Sequence, residues 1–349
     1  MSRVKLGDVT REHKETIKGD KSNYPIVGLE HLIPENIRLT QWDYNKENTF
    51  TKVFRKGCVL FGRRRAYLKK AAYADFDGIC SGDITVIEAI PEKILPELLP
   101  FVIQNDDLFD YAVGKSAGSL SPRVKWEHLK NYEFELPDIE RQHELAKMLW
   151  SIVETKESYE RLMAATDELV KSQFIELISS EIREVRLGDI ICYKAKSKIQ
   201  ARDGKLKGKY PLFNSSDEQT LWIDNYLYDN ETIFLPTGGK AAINYYKGKC
   251  SATTDNICFS GNEEYLTRYI YLSLWRDLSV LQKGFKGSGL QHISKEYVED
   301  IRIKAPNMET QNRIIEIANQ SDKSKFELEN CIKNAVSMYK KILKEYLGW

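Results

Sequence analysis

The chain repeats itself, and the repeat restricts it to folds built from two copies of one module. VKLGD begins at Val4 and VRLGD at Val185; YPIVG begins at Tyr24 and YPLFN at Tyr210. Toward the end of each half the match lengthens. KSAGSLSPRVKWEHLKNYEFELP runs from Lys115 to Pro137, and GFKGSGLQHISKEYVEDIRIKAP from Gly284 to Pro306. Gly118, Ser119, Glu127, Pro137 and Gln142 lie 169 residues before Gly287, Ser288, Glu296, Pro306 and Gln311. One offset over five pairs marks a duplicated domain, because a solenoid unit is far shorter. A chain of 349 residues has room for two modules and their connectors, and a hydrophobic fraction of 42% gives each a core.

Within each half the patterns alternate between strand and helix, which predicts a mixed α+β module. CVLFG from Cys58, ITVIEAI from Ile84, TIFLP from Thr232 and NICFS from Asn256 are short apolar runs of strand type. ILPELLPFVIQ near Ile94 and EYLTRYIYLSLW near Glu264 read as helix. After Pro137 and again after Pro306 the character changes. Asp138 to Ser179 and Asn307 to Tyr346 contain neither Pro nor Gly, so each is a candidate helix of about 40 residues, about 60 Å long. In the second, Ile314, Ser321, Leu328, Ala335 and Ile342 recur every seven residues. Ala318, Lys325, Ile332, Tyr339 and Tyr346 follow four later. Ser321 and Lys325 weaken the seam. In the first, Leu145, Ile152 and Tyr159 make one track beside Leu149, Met163, Val170 and Leu177, interrupted by Lys156, Thr166 and Gln173. Two helices this long and equivalently placed are expected to pair antiparallel as a coiled coil that fixes the separation of the modules; the alternative is that each packs on its own module.

Several classes are excluded or disfavoured. The six cysteines (Cys58, Cys80, Cys192, Cys250, Cys258, Cys331) form no CxxC pair, and the five histidines show no HExxH spacing. Buried free thiols are expected, and no metal site. MSRVKLGDVTREHK lacks the apolar core of a signal peptide, and no apolar run is long enough to cross a bilayer, so the chain reads as soluble and cytoplasmic. No Pro-Pro dipeptide exists for an amino-methyltransferase loop, and no GxxxxGK[ST] for ATP; TGGKAA at Thr237 lacks that spacing. No acidic cluster with a nearby lysine stands out for a nuclease.

The repeated LGD phrase, the twice-used G-S-x(4)-[IV]-x(4)-[LV] followed by P-x(4)-Q, and the order module, long helix, module, long helix resemble the specificity subunit of type I restriction-modification systems. The resemblance covers nearly the whole chain. It implies target recognition domains at residues 1–137 and 181–306, with spacer helices at 138–180 and 307–349 forming an antiparallel coiled coil. Each domain would read one half of a split double-stranded DNA site. The helices would dock two modification (methyltransferase) subunits, and restriction (translocase and endonuclease) subunits would join. The chain itself would be non-catalytic; S-adenosylmethionine, ATP and Mg²⁺ are expected on the partners. A recognition subunit of a methylation-only system, and a coiled-coil interaction protein without nucleic-acid function, are the alternatives.

Net charge is only +1, so a DNA-binding reading rests on local clusters. Arg63, Arg64 and Arg65, with Lys69 and Lys70 beyond, follow a strand-like run; Gly238, Gly239 and Lys240, with Asn244, stand at the corresponding place in the second half. Arg can bond guanine and Asn adenine bidentately, whereas lysines mostly hold phosphate; a solvated basic loop is the plain alternative. Lys194, Lys196, Lys198, Arg202, Lys205, Lys207 and Lys209 put seven positive charges in sixteen residues, which suits phosphate or a solvated loop. The Gly-Ser loops bring Lys115, Ser119 and Arg123 in the first half, and Lys286, Ser288 and His292 in the second, as backbone contacts or as a structural turn. Seam residues offered to the helix partner are Leu145, Ile152, Tyr159, Ile314, Leu328, Ile332, Ala335, Tyr339 and Ile342.

Overall fold

The structure is a computed structural model and describes residues 2–216, 219–287 and 291–347. Two compact units make it up: Met1–Arg161 with Leu328–Trp349, and Leu162–Glu327. Each takes a share of both long helices, Ile139–Ile178 and Met308–Leu347.

In the first unit a four-stranded antiparallel sheet runs in the order Thr10–Glu12, Ile84–Ala89, Val59–Gly62, Ala71–Tyr73. Val59–Gly62 is buried throughout, as its unbroken apolar run requires of a central strand. The second unit builds the same sheet in the same order from Ile191–Tyr193, Asn256–Gly261, Thr232–Pro236 and Asn244–Tyr246. The three-stranded sheets agree less well. Ile26–Val27 pairs parallel with Gly78–Cys80, and Tyr210–Phe213 parallel with Ser251–Ala252. The third strand, however, joins different sides: Lys52–Phe54 lies on Gly78–Cys80, and Leu221–Ile223 lies on Tyr210–Phe213.

The repeated LGD has a packing cause. Leu6–Val9 and Leu187–Ile190 are single helical turns whose leucines are fully buried. The Gly7 amide donates to the Lys130 carbonyl at 2.8 Å, and a Cβ there would sit 2.9 Å from the Lys130 Cβ. At Gly188 it would sit 2.9 Å from the Glu299 Cβ. Only glycine fits under the later chain in either module. The strands before these turns, Ser2–Lys5 and Glu184–Arg186, pair with Glu133–Leu136 and Arg302–Lys304, so each module closes on its own end just before its helix begins.

Each long helix starts with an Asx cap: Asp138 Oδ1 accepts from the Arg141 amide at 3.0 Å, and Asn307 Oδ1 from the Thr310 amide at 2.9 Å. One turn in, a buried glutamine ties it to the module. Gln142, 2% exposed, accepts from the Leu95 amide (2.8 Å) and donates to the Pro137 carbonyl (2.9 Å). Gln311, 1% exposed, accepts from the Leu266 amide (3.0 Å) and donates to the Pro306 and Glu264 carbonyls (3.1 Å each).

The helices pair antiparallel within each unit and also pack on the module there, so both packings considered from the sequence occur. In the first unit Leu145, Leu149 and Val153 share a core with Leu343 and Leu347, and the Arg141 guanidinium lies 4.4 Å from the Tyr346 ring. In the second, Val170, Phe174 and Ile178 share a core with Ile314 and Ala318. Of the predicted seam residues, Leu145 and Ile314 are buried, and Ile152, Tyr159, Leu328, Ile332, Ala335, Tyr339 and Ile342 are half-buried. Lys325, which interrupts the heptad, is half-buried with its Nζ 2.6 Å from Asp167 of the other helix. Such a cross-helix pair favours this register, and Asp322 of the same helix also lies 3.7 Å from Lys325. Ser321 is buried, and its Oγ has no hydrogen-bond partner among the described residues.

All six cysteines are free. Burial pushes the Cys58 and Cys258 thiols up to about 11, and Cys80 and Cys250 to about 12. Cys192 and Cys331 depart from the expectation, being exposed on an edge strand and on the second long helix. Among the described residues no helix is long and apolar enough to cross a membrane.

Replacing Gln311 with Met keeps the volume but takes the side-chain partner from the half-buried Leu266 amide, the buried Pro306 carbonyl and the Glu264 carbonyl. The expected loss is about 1–3 kcal/mol of unfolding free energy, measured by urea denaturation.

Candidate nucleic-acid interface

The first module's arginine triplet follows directly on the central strand Val59–Gly62. Three backbone hydrogen bonds fix it: Arg63 N–H to the Asp83 carbonyl (3.0 Å), Val124 N–H to the Arg63 carbonyl (3.0 Å), and Arg65 N–H to the Pro122 carbonyl (2.8 Å). The second module repeats this frame: Thr237 N–H to the Asp255 carbonyl (2.8 Å), Ile293 N–H to the Thr237 carbonyl (3.0 Å), and Gly239 N–H to the Gln291 carbonyl (3.1 Å). Bridges Ala117–Arg123 and Arg64–Arg123 have their counterparts in Lys286–His292 and Gly238–His292. The turn and the Gly-Ser loop, about 60 residues apart in the first half, are thus one site in each module.

This frame corrects the correspondence drawn from the sequence. Thr237, Gly238 and Gly239 occupy the places of Arg63, Arg64 and Arg65, and Lys240 falls one residue beyond them. Gly239 has φ +94°, and Arg65 takes φ +55° at the same place, a left-handed conformation that side chains resist. The arginine is exposed and has no ion pair among the described residues.

Side chains on the shared frame differ. Asp83, absent from the sequence-based candidates, is the hub of the first. Arg123 grips it side-on, Nε to Oδ1 at 2.7 Å and Nη2 to Oδ2 at 3.1 Å, and donates Nη1 to the Ser121 carbonyl at 3.3 Å. Arg64 donates Nε to Ser121 Oγ at 3.0 Å, with Nη1 3.5 Å from Asp83 Oδ2. The hydrogen bond from Arg123, opposed by partial burial and helped by the neighbouring guanidiniums, holds the Asp83 carboxyl below the usual carboxylate range. Its ion pairing therefore persists at neutral pH and is lost only as pH falls through that lowered pKa. Arg63 is half-buried, and its Nε has no hydrogen-bond partner among the described residues. Lys115 and Ser119 are exposed on the loop, whose Leu120 is 91% exposed.

In the second module the His292 ring lies against Gly238, where a Cβ would come within 3.1 Å of it, and its Nδ1 is 3.2 Å from the Thr237 carbonyl. Lys240 and Lys286 are exposed. Ser288 lies outside the described residues. The basic run borders this site: the Thr254 amide donates to the Ile199 carbonyl at 2.8 Å, next to Asp255. Lys196, Lys198 and Arg202 are exposed and have no ion pair among the described residues, while Lys194 is half-buried. Asn244 sits on the neighbouring strand, its amide 3.3 Å from the Ser216 carbonyl. Lys69 is tied to Asp106 at 2.6 Å and Lys70 to the Leu29 carbonyl at 2.7 Å, which gives both a role in holding the turn. Glu30, His31 and Asp43 bring potential metal donors together, but Asp43 is paired with Lys46 (2.7 Å) and His31 Nδ1 accepts the Gly28 amide (2.9 Å), so two of the three are already engaged locally.

One mixed module used twice, each copy passing into a long helix and presenting a turn on the same backbone frame, defines a duplicated recognition scaffold. The chain matches the type I restriction modification DNA specificity domain over residues 2–164 and 179–338, and it belongs to that family. It is 29% identical over 150 residues to the type I restriction enzyme MjaVIII specificity subunit of Methanocaldococcus jannaschii, covering 40% of this chain and 35% of that protein. It is 26% identical over 136 residues to the EcoDI specificity subunit of Escherichia coli, covering 38% and 30%. The matched stretch thus spans about a third of the length of these curated relatives. The fold is similar to the crystal structure of a type I restriction-modification S subunit from M. genitalium, with TM-score 0.61 and 14% identity over 99% of this chain and 96% of that one. A chain from a structural study of complex assembly and conformational transition in the type I system matches with TM-score 0.53, at 19% identity over 99% and 96%.

Arg65→Gly copies the second module and relieves the left-handed strain. Unfolding free energy is expected to stay level or rise by up to about 1 kcal/mol, because the gain is partly offset by glycine's greater chain entropy. Thermal denaturation checks this; a clear loss of stability would mean that the Arg65 side chain supports the fold.

Proposed function

We propose that this chain is the DNA-recognition subunit of a type I restriction-modification complex and has no catalytic activity of its own. The observation that carries the reading is the twice-used backbone frame with unlike side chains: an arginine triplet in one module, and Thr237-Gly238-Gly239 with Lys240 and His292 in the other. One scaffold fitted with two different surfaces is what an asymmetric bipartite target demands. The free end of Arg64 with Arg65, Lys115 and Ser119 in the first module, and Lys240, Lys286, Lys196, Lys198 and Arg202 in the second, are side chains open to duplex DNA. The lysines and Arg202 hold phosphates; the arginine triplet of the first module supplies base contacts.

The two helices, each of 40 residues, act as the spacer between half-sites and as the surface on which two modification subunits dock, with restriction subunits joining the assembly. S-adenosylmethionine, ATP and Mg²⁺ belong to those partners in this reading.

Mapping methylated bases genome-wide in a strain carrying the protein should return two unlike half-sites at one fixed spacing. Binding to that site should fall steeply with salt, with a log–log slope of about −0.9 per phosphate neutralised. Replacing Lys196, Lys198 and Arg202 with Ala should make the slope shallower by about 0.9 for each phosphate no longer neutralised, without changing the bases preferred. An affinity indifferent to salt and to half-site spacing would sink the proposal.

A further inference from the structure

We propose that Asp83 is a positioning residue that presents Arg64 to a guanine in the half-site facing the first module; this rests on the DNA-recognition reading above. The starting observation is a carboxylate among three arginines. A surface built only to attract phosphate loses by having Asp83 there, because its charge repels the backbone it is meant to hold. A surface built to aim a guanidinium gains, because arginine is a long, flexible side chain that loses much freedom when it binds.

The geometry separates an anchor from a reader. Arg123 commits Nε and Nη2 to Asp83 and Nη1 to the Ser121 carbonyl, so it holds the carboxylate in place. Arg64 is held on one side only, through Nε on Ser121 Oγ and Nη1 toward Asp83 Oδ2. The Nη1–Nη2 end keeps hydrogens to donate, and the side chain is 39% exposed. Guanine sets two acceptors, O6 and N7, side by side in the major groove, and an end-on guanidinium matches them. Adenine puts an amino donor in place of O6 and rejects it.

The second module lacks every part of this device except the acid. Gly238 stands where Arg64 does and His292 where Arg123 does, and Asp255 has no ion pair among the described residues. The guanine preference therefore belongs to one half-site, and the other serves as the control within the same molecule.

The test selects bound duplexes from a random pool with the full-length wild-type chain, Asp83→Asn and Arg64→Lys, and sequences what is retained. The wild type should return a split site with a guanine in one half. Both variants should lose about tenfold or more of the preference for that guanine and keep the other half-site. Asp83→Asn, with one negative charge fewer, should bind random duplex at least as tightly as the wild type, a split that mere loss of structure would not produce. Arg64→Lys keeps both charge and turn, and it decides the matter if circular dichroism shows that Asp83→Asn unfolds. An unchanged guanine preference in Arg64→Lys overturns the proposal, since a lysine replaces an arginine freely at a phosphate. A wild-type chain that selects no split site overturns the DNA-recognition reading itself.

Discussion

Two buried glutamines hold this architecture to its geometry. Gln142 and Gln311 each bridge a loop amide of the module and the carbonyl of the proline just before the helix, one turn past its cap. A helix of 40 residues is a long lever, and a small change in its starting angle displaces its far end by many ångströms. An apolar contact could hold the helix against the module, but it would let it pivot. Directed hydrogen bonds from a buried glutamine do not, because any rotation breaks their geometry. How each helix leaves its module depends first on these two side chains.

The site follows a similar division of labour. Backbone hydrogen bonds fix the turn after each central strand and tie it to the Gly-Ser loop, and they do so identically in both modules. Side chains are then free to vary without disturbing the frame. Arg65 displays the tension in this arrangement, holding a conformation that Gly239 adopts without strain. Arg65 is exposed and makes no ion pair among the described residues, so no charge contact within them offsets that backbone.

Much of this was legible in the residues. The duplication, the central strands, the helix starts at Pro137 and Pro306 and the seam all follow from local pattern, and the glutamines were visible as a repeated P-x(4)-Q, though their task was not. What escaped depends on distance along the chain. Asp83 meets Arg64 and Arg123 across separations of 19 and 40 residues, and no periodicity reports such a meeting. Both halves do carry an aspartate just before the strand beside the central one, Asp83 before Ile84–Ala89 and Asp255 before Asn256–Gly261, and that was the available signal. Lys325 looked like a flaw in the heptad because its partner, Asp167, lies on the other helix. The register of Lys240 went astray because a short basic cluster aligns by charge, while the fold aligns by backbone.

The small three-stranded sheets carry one more implication. Each contains a fixed parallel pair, and the variable segment adds its strand to Gly78–Cys80 in one module and to Tyr210–Phe213 in the other. A pair that accepts a strand on either flank leaves the length and path of the intervening chain unconstrained, so long as it can reach one of two edges. Insertions there need not propagate into the four-stranded sheet that supports the turn. The module can therefore change the bulk of its outer face over evolutionary time while its inner frame, and the helix it launches, stay in place.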